Sequence, residues 1–181
     1  MTLTMRPIAV DRDASLIVAY ARDLFAISFG SGRFEAQFGS DGAAYLPWIA
    51  AKQVADPANA ALALLDGRSV GMVVVGPWPG DAAIGYVHHY YLEPGARGRG
   101  LAAELDGYAA AALRRAGYFA ARLSVARSNE RALRFYRKRG WIEAGPRPDQ
   151  PGILYMERTL EGPGGARRAV PHCSATPFLS R

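Results

Sequence analysis

Tyr90-Tyr91-Leu92-Glu93-Pro94-Gly95-Ala96-Arg97-Gly98-Arg99-Gly100-Leu101-Ala102-Ala103 reads as strand, turn and helix start. An aromatic and aliphatic run ends at Pro94, which cannot donate to a strand ladder. A turn rich in glycine and arginine follows. Leu101, Leu105, Tyr108, Ala109, Ala112 and Leu113 then recur at helical spacing, the mark of an amphipathic helix. The layout suits an anion. Gly98 and Gly100 let backbone N–H groups approach a ligand closely. The first helical turn adds unpaired donors and the positive end of the helix dipole, and Arg97 and Arg99 add charge.

Three phosphate-binding designs share this grammar. A nucleotide P-loop needs Gly-Lys-Ser/Thr, which is absent. Gly98-Arg99-Gly100-Leu101-Ala102-Ala103 matches the dinucleotide pattern G-x-G-x-x-A, but that design expects an acidic residue about twenty positions on. The next strand here ends Leu123-Ser124-Val125-Ala126-Arg127, without an acid. The third design rests on a resemblance. Arg97-x-x-Gly100-x-Ala102 resembles the acetyl-CoA motif of the GNAT family of N-acetyltransferases, written Arg/Gln-x-x-Gly-x-Gly/Ala. Asn129-x-x-Ala132-x-x-x-Tyr136-x-x-x-Gly140-Trp141 resembles the family's second motif, and Leu154 to Arg158 its last strand. The resemblance spans residues 4 to 160 and predicts an N-acetyltransferase domain there.

At 181 residues the chain fits one domain, with half its residues hydrophobic and no apolar run long enough to span a membrane. One cysteine, Cys173, excludes an internal disulfide, and no metal pattern is present. The N-terminus lacks a signal-peptide layout, so a soluble cytoplasmic protein is expected. The formal charge is +6. Its positive residues concentrate between Arg97 and Arg139, the segment that holds both motifs. That favours a small phosphorylated ligand over nucleic acid, whose binders interleave aromatic and basic residues.

Along the chain, Met5 to Val10 reads as a strand and Asp11 or Asp13 as the cap of a first helix. Ser28 to Gly42, punctuated by four glycines, reads as a mobile loop. A second helix covers 43 to 54, with Pro47 in its first turn. Strands follow at 60–65, 69–75 and 84–92, the first two joined by the hairpin signal Asp66-Gly67-Arg68. Helices at 101–116 and 129–139 alternate with a strand at 119–125, and strands at 141–144 and 153–158 close the domain. The order β-α-α-β-β-β-α-β-α-β-β is mixed α/β. The resemblance implies a mostly antiparallel central sheet flanked by helices, as in acyl-CoA N-acyltransferases. Residues 161 to 181 are expected to form a flexible tail, or to pack on a second copy in a homodimer.

The resemblance also implies roles. Tyr91, Leu92, Arg97, Gly98, Arg99, Gly100, Leu101, Ala102, Asn129 and Tyr136 would hold acetyl-CoA, with the Leu92 N–H as oxyanion donor. No metal is implied. Tyr136 sits where the family places its general acid, and Asn129 is in any case a good helix cap. Many family members carry a strand glutamate as base. Here the strand has His88 and His89, and alternation along a strand would let one of them face the site. Glu93 is a further candidate. Phe29, Phe34 and Glu35, with Phe38, Asp41, Tyr45 and Trp48, would wall a cavity for the acceptor, a small-molecule or peptide amine. Two rival readings are an acyl-CoA sensor of the same fold without turnover, and a nucleic-acid-binding protein.

Overall fold

A computed structural model describes residues 2–160; the expected tail, 161–181, lies outside them. The elements run β1 (Thr4–Pro7), α1 (Val10–Phe29), α2 (Arg33–Phe38), α3 (Tyr45–Gln53), β2 (Ala60–Leu65), β3 (Arg68–Trp78), β4 (Asp81–Leu92), α4 (Ala102–Arg115), β5 (Ala120–Ala126), α5 (Glu130–Lys138), β6 (Ile142–Arg147) and β7 (Gln150–Thr159). The seven strands form one sheet in the order β1-β2-β3-β4-β5-β7-β6. Every neighbouring pair is antiparallel except β4 and β5.

Both faces of the sheet carry a core because β3 is apolar at every position from Val70 to Val75 except Gly71, as a strand covered on both faces must be. Val73 and Val75 pack with Ala109, Ala112 and Leu113 of α4 and Leu133 of α5. Met72 and Val74 pack on the other face with α1, α2 and α3.

The stretch from Ser28 to Gly42 is not a loop. α1 runs on to Phe29, and α2 places Phe34 and Phe38 in the core beside Phe25 and Tyr45. Gly30 and Gly39 stop the two helices and Gly32 starts the second, all at positive φ. The glycines therefore bracket a helix that buried aromatic rings hold in place. The α1 cap also differs from expectation. Ala9 occupies the N-cap, and Asp13 reaches back to accept its N–H at 2.8 Å while pairing with Arg6.

The segments 76–83 and 145–152, left between the expected strands, shrink to turns. β3 and β4 extend to Pro79-Gly80, and β6 and β7 to Pro148-Asp149. Pro146 is tolerated because β6 is the sheet's edge strand, and the register shifts there.

Candidate active site

The parallel pairing of β4 with β5 is short. Gly85, Tyr86 and Val87 face Ala121, Arg122 and Leu123, and beyond them the strands part. The β5-facing edge of His88 to Leu92 then has no strand partner. A β-bulge sits at the point of parting. Val74 pairs with His89 and Val75 with Val87, which leaves His88 as the extra residue.

That bulge overturns the expected alternation of the two histidines. Both rings lie on the α1–α3 side, each 5.3 Å from the Trp48 ring. His89 is 3 % exposed, stacks on Tyr45 and shares a hydrogen bond of 3.0 Å between Nδ1 and the Tyr45 hydroxyl. Burial, helped by the Lys52 charge, pushes its pKa down to about 3. His88 is half-buried beside Tyr86 and Trp48, and its Nε2 has no hydrogen-bond partner among the described residues. Its pKa also falls well below the ordinary value, through burial, Lys52 and His89, with a hydrogen bond to the Pro77 backbone opposing.

A stability prediction follows from His89. Its proton affinity in the fold is lower than in the unfolded chain, where it titrates near 6.5. The stability is therefore complete above about pH 6.5 and declines as pH falls towards about 3. Denaturant titrations at pH 7 and pH 5 should differ by at least about 2 kcal/mol, His88 adding in the same direction. An unchanged stability would mean that His89 is protonated in the folded protein.

The glycine turn lies at the far end of β4. Gly98 and Gly100 both have φ +83°, the left-handed region that favours glycine. The N–H groups of Gly98, Gly100, Leu101 and Ala102 donate to no backbone carbonyl among the described residues. A Cβ on Gly100 would meet nothing within 4 Å, and one on Gly98 would lie 3.6 Å from Nη2 of Arg131, a residue of α5. Donors without a backbone acceptor, a helix start and a guanidinium thus lie close together on this turn, a combination that suits a diphosphate. Arg131 was not singled out from sequence; its place two residues after the cap Asn129 was the available signal.

Arg97 braces the turn. Its Nε donates to the Leu92 carbonyl at 2.7 Å, and its Nη2 meets Asp23 of α1 at 3.3 Å. Tyr91 is buried and donates its hydroxyl to the same carboxylate at 2.7 Å. Asn129 caps α5, its Oδ1 accepting the Ala132 N–H at 3.1 Å. Leu101 is buried beneath the turn with Ala96 and Leu105. Glu93 pairs with Arg68.

Tyr136 projects from α5 and is half-buried, its ring centroid 6.0 Å from Tyr90 and 6.1 Å from Trp141. Its hydroxyl has no hydrogen-bond partner among the described residues. Burial first, then the Asp106 charge and Tyr86, push its pKa above the ordinary phenol value, so it remains a proton donor at neutral pH. Asp106 is 0 % exposed and accepts hydrogen bonds from Tyr90, Trp141, Arg139 and Arg158. The sequence did contain its signal, an acid on the apolar stripe of α4, one turn before Ala109 and Ala110.

A cleft of about 560 Å³ opens between the end of α1 and the end of β5, lined by Ile27, Phe29, Arg33, Ala126, Gly152 and Ile153 among others. Phe29 borders it; Phe34 and Glu35 do not. Phe34 is core, 1 % exposed, because α2 turns it inwards. Glu35 is exposed and pairs with Arg22 at 3.2 Å. Phe38 and Tyr45 are buried too. Most arginines of the basic segment are also engaged: Arg115 with Asp56, Arg122 with Glu157, Arg134 with Glu130 and Arg137 with Glu143. No group of metal-ligating side chains, and no helix long and apolar enough to cross a membrane, occurs among the described residues.

The model of the acetyltransferase (GNAT) family matches residues 21–141. The chain belongs to this family. Solved structures of similar fold include PaiA N-acetyltransferase from Thermoplasma acidophilum in complex with coenzyme A, at 18% identity, TM-score 0.69, covering 88% of this chain and 99% of that one. YncA from Salmonella typhimurium with its cofactor acetyl-CoA is 18% identical, TM-score 0.70, over 93% of this chain and 100% of that one. An N-acetyltransferase from Staphylococcus aureus Mu50 is 20% identical, TM-score 0.69, over 89% and 100%. No curated protein matches the chain. The GNAT acetyltransferase assignment agrees with the sheet, the motifs and the parted strands.

Proposed function

We propose that this GNAT protein transfers an acetyl group from acetyl-CoA to a primary amine by direct attack within a ternary complex. The observation that carries the reading is the parting of β4 and β5 after Val87 and Leu123, with the open glycine turn beyond the end of β4 and the Tyr136 ring packed on Tyr90 of the parted strand. Acetyl-CoA supplies an activated thioester. The N–H groups of Gly98, Gly100, Leu101 and Ala102, with Arg131, hold its diphosphate, and the unpartnered edge of β4 hydrogen-bonds the pantetheine arm as an added strand would. The Leu92 N–H faces the developing oxyanion. The acceptor enters by the cleft that Phe29 borders. His88, whose depressed pKa keeps the imidazole neutral, takes the proton that the attacking nitrogen sheds. Tyr136 gives its proton to the departing thiolate as the carbon–sulfur bond breaks.

The test measures free thiol released from acetyl-CoA with spermidine, an α-amino acid, a lysine peptide and an aminoglycoside as acceptors, for the wild type and His88→Gln. Acceptor-dependent release, lowered roughly a hundredfold in His88→Gln, is expected. Release without any amine dependence would leave an acyl-CoA-binding protein in its place, and an unaltered His88→Gln rate would remove the base.

A further inference from the structure

Asp106 is the one fully buried carboxylate among the described residues, and the chemistry above makes no use of it. Its Oδ1 accepts from the Tyr90 hydroxyl at 3.2 Å and from Nε1 of Trp141 at 3.0 Å. Its Oδ2 accepts from Arg139 at 3.0 Å and Arg158 at 2.8 Å. Tyr90 and Trp141 are also two of the rings that pack against Tyr136. The Tyr136 backbone is held from the same side, its carbonyl accepting the N–H groups of Arg139 at 2.9 Å and Trp141 at 3.0 Å. A desolvated carboxylate is costly, and an apolar side chain would pack α4 as well. Two ion pairs and two further hydrogen bonds offset that cost, and they tie Tyr90, Trp141, Arg139 and Arg158 to one point.

We propose that Asp106 is a positioning residue for Tyr136: by tying Tyr90 and Trp141 to one oxygen, it fixes the phenol where its hydroxyl meets the leaving sulfur. The role rests on Tyr136 being the general acid. The charge has a second effect. The groups that face Tyr136 are Asp106 from α4 and Tyr86 and Tyr90 from β4, with Arg139 and Arg158 reaching it through Asp106. A carboxylate there disfavours the tyrosinate, so Asp106→Asn, which leaves two guanidinium groups uncompensated, makes Tyr136 more acidic.

A double-mutant cycle tests this, using thiol release with an acceptor turned over in the amine panel. Asp106→Asn should lower kcat by at least about tenfold, with KM for acetyl-CoA unchanged and the alkaline limb of the pH profile moved to lower pH. In a Tyr136→Phe background the same substitution should cost nothing further. The tyrosinate absorbance of Tyr136, taken as the difference between proteins with and without it, should titrate at lower pH in Asp106→Asn and needs no acceptor. Equal losses in both backgrounds, or a KM that rises in step with the loss, would make Asp106 a scaffold residue only. If Asp106→Asn does not fold, Tyr90→Phe enters the same cycle, since it keeps the ring and removes one bond to Oδ1. Full activity of Tyr136→Phe alone overturns the acid and this role with it, whereas a normal Asp106→Asn beside an impaired Tyr136→Phe overturns this role alone.

Discussion

Gly100→Trp is expected to lower the affinity for acetyl-CoA by at least about a hundredfold in a calorimetric titration, with the protein still folded and its thermal midpoint lowered by only several degrees. Two effects add. An L-residue at φ +83° is strained, which disturbs the neighbouring N–H groups proposed to hold the diphosphate. The indole would also occupy the space around Gly100 that is empty of protein within 4 Å. Losing two hydrogen bonds to a charged diphosphate removes about 3 kcal/mol, which is about a hundredfold in Kd. That open space is also why the fold should tolerate the change, since the side chain meets solvent and not core. Undiminished binding by a folded Gly100→Trp protein would mean that the diphosphate does not sit on this turn.

Tyr136→Phe is expected to lower kcat about a hundredfold, with KM for acetyl-CoA close to the wild-type value. The substitution removes one oxygen and keeps the ring that packs on Tyr90 and Trp141. The effect belongs to the step in which sulfur leaves, hence to kcat. The pH profile carries a second signature. Burial, Asp106 and Tyr86 all hold the hydroxyl protonated, so the wild type should lose no activity to Tyr136 ionisation below about pH 10. Wild-type kcat in the variant would mean that water protonates the thiolate.

Much of this molecule was legible along the chain. The glycine turn depends on residues within four positions of each other, and Gly98 and Gly100 do adopt the conformation their type suggests. Asn129 caps α5 and Gly117 ends α4 at φ +88°, both by local geometry. The apolar period of α4 located its buried face. The errors have one kind of cause. Four glycines between 28 and 42 read as a loop, because the partners that make α2 worth forming, Phe25 and Tyr45, lie outside it. The strand from 141 was expected to end at 144, before Pro146, because edge position is a property of the sheet. Phe34 read as a cavity wall, because which way a ring points from a short helix depends on what covers it. Asp106 drew no reading along the chain, although its place on the apolar stripe of α4 was visible.

The sequence by itself determined the order of the main strands and helices, the anion-binding turn and the two motifs that mark the family, since each follows from spacing, capping and backbone conformation over short stretches. Only the tertiary structure decided where β4 and β5 part, that a bulge brings His88 and His89 to one face, and that Asp106 gathers four donors around Tyr136. These depend on register and packing between segments far apart in the chain, where a shift of one residue reverses every side chain's direction.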